Sequence, residues 1–179
     1  AYLDTMGDLF VIKTDGLAAG KGVLVTADRA EAVDAVRSYL SGAAFGEAGR
    51  TLVIEEGLTG PELSILAICD GSSAVALAPA QDFKRLGDGA AGPNAGGMGA
   101  YSPVPVAPEA VVGALIADAV EPTLAPLPGP AIDYRGVLYC ALMFTPSRPR
   151  VLGYNVRSGG PETQAVVPGP AHDAPLAPP

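Results

Sequence analysis

The sequence predicts an α+β fold of two lobes, with largely antiparallel sheets and flanking helices. Along its 179 residues, runs with strand periodicity mostly follow one another directly, with short turns rather than helices between them. Two segments with helical apolar spacing stand between groups of such runs. Hydrophobic residues make up 49% of the chain and charged residues 17%, which is typical of a globular protein with a buried core.

The first lobe should contain three strands and one helix. Residues 9–14 and 22–26 are apolar runs joined by a glycine-rich turn, and residues 51–56 form a third such run. The helix is predicted to begin after Asp28, an N-cap residue with Glu31 three residues on, because this pair can satisfy the free N–H groups of a first helical turn.

The second lobe should be built from hairpins and one long helix. Its strands are predicted at residues 62–70, 74–80, 137–145 and 150–156. The helix is predicted to start with Pro108 at its first position and to kink or end at Pro122, since proline lacks the N–H that a helix interior needs. Residues 86–99 hold six glycines and little apolar mass, so they are predicted to form a long loop.

These elements indicate three segments along the chain. Residues 1–61 form the small lobe with the glycine-rich turn, residues 62–167 form the larger lobe, and residues 168–179 form a proline-rich frayed tail. The chain begins without Met, a few residues before its first strand, so we expect it to be a piece of a longer protein.

Charge and cysteine usage exclude several classes of function. The formal charge is −8, from 11 basic and 19 acidic residues, and no cluster of Lys and Arg is available for a nucleic acid backbone. No apolar run reaches the ~18 residues of a membrane-spanning helix. Cys69 and Cys140 lie inside apolar runs and are predicted to be buried free thiols, which favours the reducing cytoplasm.

The run KTDGLAAGKGV, which starts at Lys13, invites comparison with known phosphate loops. Only three residues separate Gly16 from Gly20, and a strand follows, so the run fits neither a Walker A loop nor a dinucleotide fingerprint. It predicts a strand–loop–strand flap in which Gly20 and Gly22 let backbone N–H groups approach phosphate oxygens, with Lys21 at the tip. A mobile hairpin with a solvated lysine is the alternative. The charge of Lys13 at the end of an apolar strand needs an anionic partner, which favours the flap.

Beyond the flap, the run IEEGLTGPELS completes a pattern that resembles the ATP-grasp ligases. An acidic pair, Glu55 and Glu56, precedes a short apolar hinge, and a further Glu follows. The resemblance implies that the hinge at Gly57 and Leu58 holds adenine and that Glu62 holds the ribose hydroxyls. Bulky residues are usual where Gly57 stands, so one wall of the adenine pocket is expected to be thin. Without the resemblance, these acidic residues would be interpreted as solvated surface groups.

Three runs narrow the resemblance to one family. AQDFKRLGDGAAGPNAGGMGAYSP (residues 80–103), DGLAAGKGV and NVRSGGPETQ are similar to the phosphoribosylamine–glycine ligases, and the likeness extends from about residue 9 to residue 167. Such enzymes use ATP to join the carboxylate of glycine to the amine of 5-phosphoribosylamine through an acyl phosphate. The resemblance implies ATP and Mg²⁺ (or Mn²⁺) as cofactors, these small molecules as partners, and further N- and C-terminal domains of the same enzyme.

The resemblance also implies roles for individual side chains. Lys13 and Lys21 would hold ATP phosphates, which need positive charge. Arg157 would stabilise the acyl phosphate or the phosphoryl group in transfer, and Asp82 would border the substrate amine and ribose. The glycine-rich segment would form a substrate loop, with members Lys84, Asn94, Gly96, Gly97 and Met98. A flexible linker is the alternative for this segment.

One strand departs from the family pattern at its metal site. The resemblance implies Mg²⁺ ligation by Asn155 and by a Glu two residues before it, but Gly153 stands at that position. Ser158 and Gly160 likewise replace a Phe and an Asp. Strand alternation should place Gly153, Asn155 and Arg157 on one face. The chain is then either a catalytic portion of the ligase or a non-catalytic nucleotide-binding remnant with a damaged metal site. A third hypothesis, an ATP-grasp ligase for another carboxylate and amine, is disfavoured by the long glycine-rich run.

Overall fold

The computed structural model of the chain describes residues 2–18, 21–124 and 133–168, without the side chains of residue 85 and residues 90–96. The chain divides into two compact units between Thr59 and Gly60. The first unit contains β1 (Phe10–Thr14), β2 (Val23–Thr26), α1 (Arg29–Leu40) and β3 (Leu52–Glu56), with 3₁₀ turns at Tyr2–Thr5 and Gly46–Gly49. Its strands form one antiparallel sheet in the order β2-β1-β3.

Helix α1 packs on one face of this sheet, and the sequence explains where it begins. The side chain of Asp28 accepts a hydrogen bond from the N–H of Ala30 at 2.7 Å, as expected of an N-cap residue. Phe10 and Ile12 alternate into a core that they share with Ala32 of the helix. The three strands and the helix predicted for this part of the chain are confirmed.

The second unit combines a four-stranded sheet, a two-stranded sheet and short helices. Its strands are β4 (Glu62–Asp70), β5 (Ala74–Ala76), β6 (Gln81–Gly87), β7 (Ala91–Tyr101), β8 (Arg135–Phe144) and β9 (Pro149–Asn155). Its helices are α2 (Glu109–Leu115), α3 (Glu121–Leu124) and α4 (Glu162–Val166), with a π-helical turn at Ile116–Val120 and a 3₁₀ turn at Asp88–Ala90. The strand orders are β5-β4-β8-β9 and β6-β7, and all these neighbours are antiparallel, which confirms the α+β fold.

One face of the four-stranded sheet and the helical segment from α2 to α3 form the core of this unit. Alternate residues of β4 and β8 turn into that core, among them Leu63, Ile65 and Leu142. Cys69 and Cys140 lie in the same core as free thiols, as predicted, and burial raises the pKa of Cys140 to about 11. None of the helices described has both the length and the apolar run that crossing a membrane requires.

Two predicted segments of this unit take a different form. The long loop predicted at 86–99 is instead the end of β6, a turn and most of β7, with register shifts around Arg85. Strand pairing uses backbone N–H and C=O groups, which glycines carry like other residues, so the lack of side-chain periodicity did not prevent it. The strand predicted at 74–80 ends at Ala76.

The long helix of this unit also differs from its prediction. Pro108 precedes the first helical residue, Glu109, and Pro122 does not end the helical path. A π-helical turn, Ile116–Val120, lies directly before that proline. The wider turn relieves the clash that a proline ring makes with the carbonyl four residues earlier, so the path continues to Leu124.

Candidate functional site

In the first unit, the lysine near the end of β1 finds its counter-charge within the chain. The Nζ atom of Lys13 lies 2.6 Å from Oε2 of Glu55 on the neighbouring strand β3. The anionic partner that this lysine requires is therefore one of the two acids before the predicted hinge. Lys21 is exposed in the glycine-rich turn and forms no ion pair within the described part of the chain, while Gly20 lies outside the described residues.

Two glycines of the same turn are held in close packing. A Cβ atom on Gly16 would lie 2.5 Å from Cα of Ala48, and one on Gly22 would overlap the hydroxyl of Thr14. The N–H of Thr14 also donates to the carbonyl of Gly22 at 2.8 Å. A larger residue at either glycine would therefore displace the turn.

The predicted hinge after β3 gains a wall from elsewhere in the unit. A Cβ atom on Gly57 would overlap Cγ of Leu9, whose side chain occupies that space. The N–H of Gly57 donates to the carbonyl of Leu9 at 2.9 Å, which fixes the two segments together. The side chain of Leu9 therefore occupies the space beside the hinge glycine. Glu56 ends β3, and Leu58 follows the hinge glycine half-buried.

In the second unit, the face of the four-stranded sheet that lies away from the core carries a group of polar side chains among apolar ones. The register pairs Ser64 with Ala141, which in turn pairs with Gly153. Two residues further along, Tyr139 pairs with Asn155. Directly opposed residues of an antiparallel pair have their side chains on the same side of the sheet, so a hydroxyl, a phenol and an amide share this face.

Glu162, at the start of α4, is buried against this polar face. Its Oε1 accepts hydrogen bonds from the hydroxyl of Tyr139 at 2.9 Å and from that of Ser64 at 3.4 Å. The two hydroxyl oxygens lie 2.8 Å apart. Glu162 is 3% exposed, and its Oε2 has no hydrogen-bond partner among the described residues. Burial, followed by the negative charge of Glu162, raises the pKa of Tyr139.

The sequence by itself predicted no role for this buried network. Glu162 lies in the run NVRSGGPETQ that carries the family resemblance, and Ser64 and Tyr139 lie inside apolar strands. A signal was present, because Ser64 and Tyr139 carry hydroxyls in the middle of runs that are otherwise apolar. Their meeting could not be predicted, since it depends on the pairing of two strands whose residues lie 75 positions apart.

Lys84 on β6 joins two acidic side chains of this unit. Its ammonium donates to Oε2 of Glu62 and lies 3.3 Å from Oδ1 of Asp82, which is an ion-pair distance without hydrogen-bond geometry. The side chain of Asp82 is 3% exposed. All three residues line one cavity of about 590 Å³. The structure therefore brings together the residues that the resemblance assigns to the ribose, to the substrate amine and to the substrate loop.

Burial and charge act against each other on these groups. Burial raises the pKa of Asp82; the ammonium of Lys84 opposes that shift, and the carboxylate of Glu162 adds to it. Burial by itself would lower the pKa of Lys84, but the hydrogen bond and charge of Glu62, joined by the charge of Asp82, raise it instead. Lys84 therefore stays cationic, and two carboxylates share its positive charge.

The predicted metal strand, β9, carries less than a metal site needs. A Cβ atom on Gly153 would have nothing within 4 Å, so the place of the missing carboxylate is open space. Asn155 is half-buried and offers one amide oxygen. Within the described ranges, no group of three or more His, Cys, Asp and Glu side chains could hold a metal ion. The residues of β9 therefore do not fit a magnesium site built by the protein.

Arg157 does not share the face of β9 as predicted. The strand ends at Asn155, and Arg157 lies in the bend that follows, where its guanidinium donates to the carbonyl of Ser158 at 2.9 Å. Alternation fails there because a bend replaces the extended backbone. The register shift of the β8–β9 pair comes before Gly153, so Gly153 and Asn155 still share one face.

Strand β7 packs against the segment before α4 through Gly97. Its φ is +85°, and a Cβ atom there would overlap the ring of Pro161. Met98 beside it is 54% exposed. Asn94 and Gly96, the other predicted members of the substrate loop, also belong to β7. The predicted substrate loop is therefore a paired strand with one tight contact at a glycine.

Gly97→Ala should lower the free energy of unfolding by about 2 kcal/mol, because left-handed backbone and overlap with Pro161 both oppose a side chain there. Gly99→Ala is the matched control, since a Cβ atom on Gly99 in the same strand would have nothing within 4 Å. Urea unfolding followed by circular dichroism compares the two variants. Equal losses of stability would contradict the importance of this contact.

Known proteins are similar to this chain in sequence and in fold. The family model described as phosphoribosylglycinamide synthetase, ATP-grasp (A) domain, matches residues 1–163. A phosphoribosylamine–glycine ligase of Xanthomonas axonopodis pv. citri is 49% identical over 168 residues, which cover 93% of this chain and 39% of that protein. The crystal structure of a phosphoribosylamine–glycine ligase of Thermotoga maritima aligns with a TM-score of 0.71 and 38% identity, over 93% of this chain and 42% of that one.

More distant structures share the fold alone. A biotin carboxylase of Campylobacter jejuni aligns with a TM-score of 0.67 at 17% identity, over 89% of this chain and 33% of that one. The chain spans about two fifths of the length of the ligases that it matches. Since the family model runs through both units and includes the cavity, β9 and Glu162, the chain belongs to the family of phosphoribosylglycinamide synthetase ATP-grasp (A) domains.

Proposed function

We propose that this chain is the ATP-grasp part of a ligase that joins glycine to 5-phosphoribosylamine and converts ATP to ADP and phosphate. The observation that carries the proposal is the cavity wall of the second unit, which Glu62, Asp82 and Lys84 form together. The resemblance assigns these residues to the nucleotide ribose and the substrates. The name of the relative that is 49% identical supports the same activity.

The proposed reaction has two steps. A carboxylate oxygen of glycine attacks the γ-phosphorus of ATP, which releases ADP and forms glycyl phosphate. The amine of 5-phosphoribosylamine then attacks the carbonyl carbon, phosphate leaves, and the nitrogen gives up a proton as the amide forms. Both steps move negative charge onto oxygen atoms, so the protein must supply positioning and positive charge.

The cationic side chains suit this task. The exposed ammonium of Lys21 is available to a phosphate. Lys13 forms an ion pair with Glu55 and is 26% exposed, which leaves room for a phosphate contact. Arg157 has donors left after its bond to the Ser158 carbonyl, and a planar guanidinium matches a phosphoryl group.

The remaining contacts divide between the nucleotide and the substrates. The hinge at Gly57 and Leu58, beside the side chain of Leu9, would hold adenine mainly through backbone groups. Glu62 would accept the ribose hydroxyls, because an ionised carboxylate is an acceptor. Asp82, together with β7 around Gly97, would border the amine and the ribose of the substrate.

Magnesium or manganese enters this proposal with the phosphates of ATP. Asn155 would be the one ligand from β9, since Gly153 has no side chain. The same observation favours a second candidate, a remnant that binds ATP and transfers no phosphoryl group. ATP binding that strengthens with Mg²⁺ would favour the ligase, and ATP binding indifferent to Mg²⁺ would favour the remnant.

The proposed enzyme has further domains beyond this chain and a location in the cytoplasm. The ligase from Xanthomonas is longer, and this chain covers 39% of it, so N- and C-terminal domains of the same enzyme would complete the substrate site. The partners are ATP, glycine and 5-phosphoribosylamine rather than nucleic acid or a membrane. The cytoplasm is the proposed location, because free buried thiols such as Cys69 and Cys140 are typical of a reducing compartment.

Calorimetric titration with ATP and with adenosine tests the nucleotide site. Lys21→Ala should weaken ATP binding about 10-fold and leave adenosine binding unchanged, because the ammonium would contact only phosphate. Arg37→Ala removes an exposed cation of α1 and should change neither affinity. Equal losses for ATP and adenosine in Lys21→Ala would contradict the phosphate role. A wild-type chain that binds no ATP would overturn the proposed function.

A further inference from the structure

The ammonium of Lys84 holds one oxygen of Glu62 and leaves the other available. It donates to Oε2, and no described residue forms a hydrogen bond with Oε1. We infer that Lys84 is a positioning residue for Glu62, which it orients so that the available oxygen accepts the two neighbouring hydroxyls of a ribose.

The backbone explains why this contact forms. Ser64 and Ala80 exchange two hydrogen bonds of 2.7 and 3.0 Å, which fix the start of β6 beside β4. From this anchor, Glu62 lies two residues back along β4, and Asp82 and Lys84 lie two and four residues forward along the antiparallel segment. Residues two apart on extended backbone project to the same side. Glu62 and Asp82 therefore project to the same side, and the ion-pair contacts of Lys84 with both show that its ammonium lies between them.

Asp82 restrains Lys84 from within the unit. Its nearly buried carboxylate lies 3.3 Å from the ammonium, so the lysine has two anionic neighbours. Lys84 and Glu62 are themselves 37% and 32% exposed, and both line the cavity of about 590 Å³. The ion pair thus has a nearly buried acidic neighbour in Asp82 and borders a cavity that a ligand can enter.

The free oxygen defines the class of ligand. An ionised carboxylate accepts hydrogen bonds and donates none, and each oxygen has more than one lone pair. The vicinal diol of a ribose offers two neighbouring hydroxyl donors, whereas a dideoxyribose has neither hydroxyl. The inference rests on the proposed function, because a nucleotide must first bind to this chain. It gives Lys84 a role in ribose recognition instead of the substrate-loop role that the resemblance implies.

The test compares the affinities of ATP and 2′,3′-dideoxy-ATP for the whole chain by calorimetric titration. The wild-type chain should prefer ATP about 10-fold, since hydrogen bonds to a charged acceptor are at stake. Lys84→Met should abolish most of that preference by weakening ATP binding alone, and Lys84→Arg should restore part of it. In the Glu62→Gln background, Lys84→Met should cause no further loss of preference, because the residue through which it acts has changed.

Each contrary result overturns a distinct statement. If Lys84→Met weakens ATP and dideoxy-ATP binding equally, or weakens the preference further in the Glu62→Gln background, Lys84 does not act through Glu62. If the wild-type chain binds both nucleotides with equal affinity, the ribose assignment and the inference fail while nucleotide binding survives. If it binds neither nucleotide, the proposed function fails and the inference falls with it. Thermal unfolding of each variant verifies that the fold is retained, and Lys84→Arg provides the comparison should Lys84→Met not fold.

Discussion

In the Gly153→Glu variant, addition of Mg²⁺ should strengthen ATP binding at least about 10-fold. Substitution of residues that only support a metal ligand already changes metal affinity by that factor, so a new ligand should have at least the same effect. The new side chain enters open space, since nothing lies within 4 Å of the Cβ position. It would stand on the same face as Asn155, two residues along β9. A carboxylate and an amide oxygen would then meet an ion that the phosphates of ATP also hold. Titration with ATP, with and without Mg²⁺, measures the change.

A second glycine provides the matched control for this substitution. Gly113 lies on α2, is exposed, and also has nothing within 4 Å of its Cβ position. Gly113→Glu adds the same charge and should leave the effect of Mg²⁺ unchanged. If Gly153→Glu shows no larger effect of Mg²⁺ than Gly113→Glu, the missing carboxylate is not the defect. Ser158 and Gly160 would then be the next positions to restore.

Tyr139→Phe should lower the free energy of unfolding by about 2–3 kcal/mol at pH 7, which is the cost of leaving a buried charged acceptor without its donor. The hydroxyl of Tyr139 donates to Oε1 of Glu162 at 2.9 Å, and the hydroxyl of Ser64 donates to the same oxygen over a longer distance of 3.4 Å. Oε2 of Glu162 has no hydrogen-bond partner among the described residues, so the carboxylate depends on this phenol. Urea unfolding followed by circular dichroism measures the loss.

Tyr154→Phe is the matched control, because its hydroxyl donates to the neutral carbonyl of Ala119 at 2.8 Å. That variant should lose about 1 kcal/mol. Equal losses in the two variants would contradict the dependence of the Glu162 carboxylate on the hydroxyl of Tyr139.

Local patterns were sufficient to predict most strands and the start of α1. The cap at Asp28 and the alternation of β4 depend on residues close in the chain, so the sequence carries them directly. The β6–β7 hairpin escaped prediction because glycines pair through backbone groups and leave no side-chain pattern. Of the two outcomes predicted at Pro122, a kink or an end of the helix, the end is wrong, because a π-helical turn before the proline makes room for its ring.

By itself, the sequence determined the fold class, the family resemblance and the absence of a side chain at Gly153. The motifs that carry the resemblance are contiguous in the chain, and the residue type at position 153 by itself shows that a carboxylate is missing. Only the tertiary structure decided which polar groups meet: Lys84 with Glu62, and Tyr139 with Glu162. These partners come from strands and a helix far apart in the chain. The pairing register decides which of these groups meet. Burial removes water as a partner, so each buried charge or hydroxyl needs its neighbour.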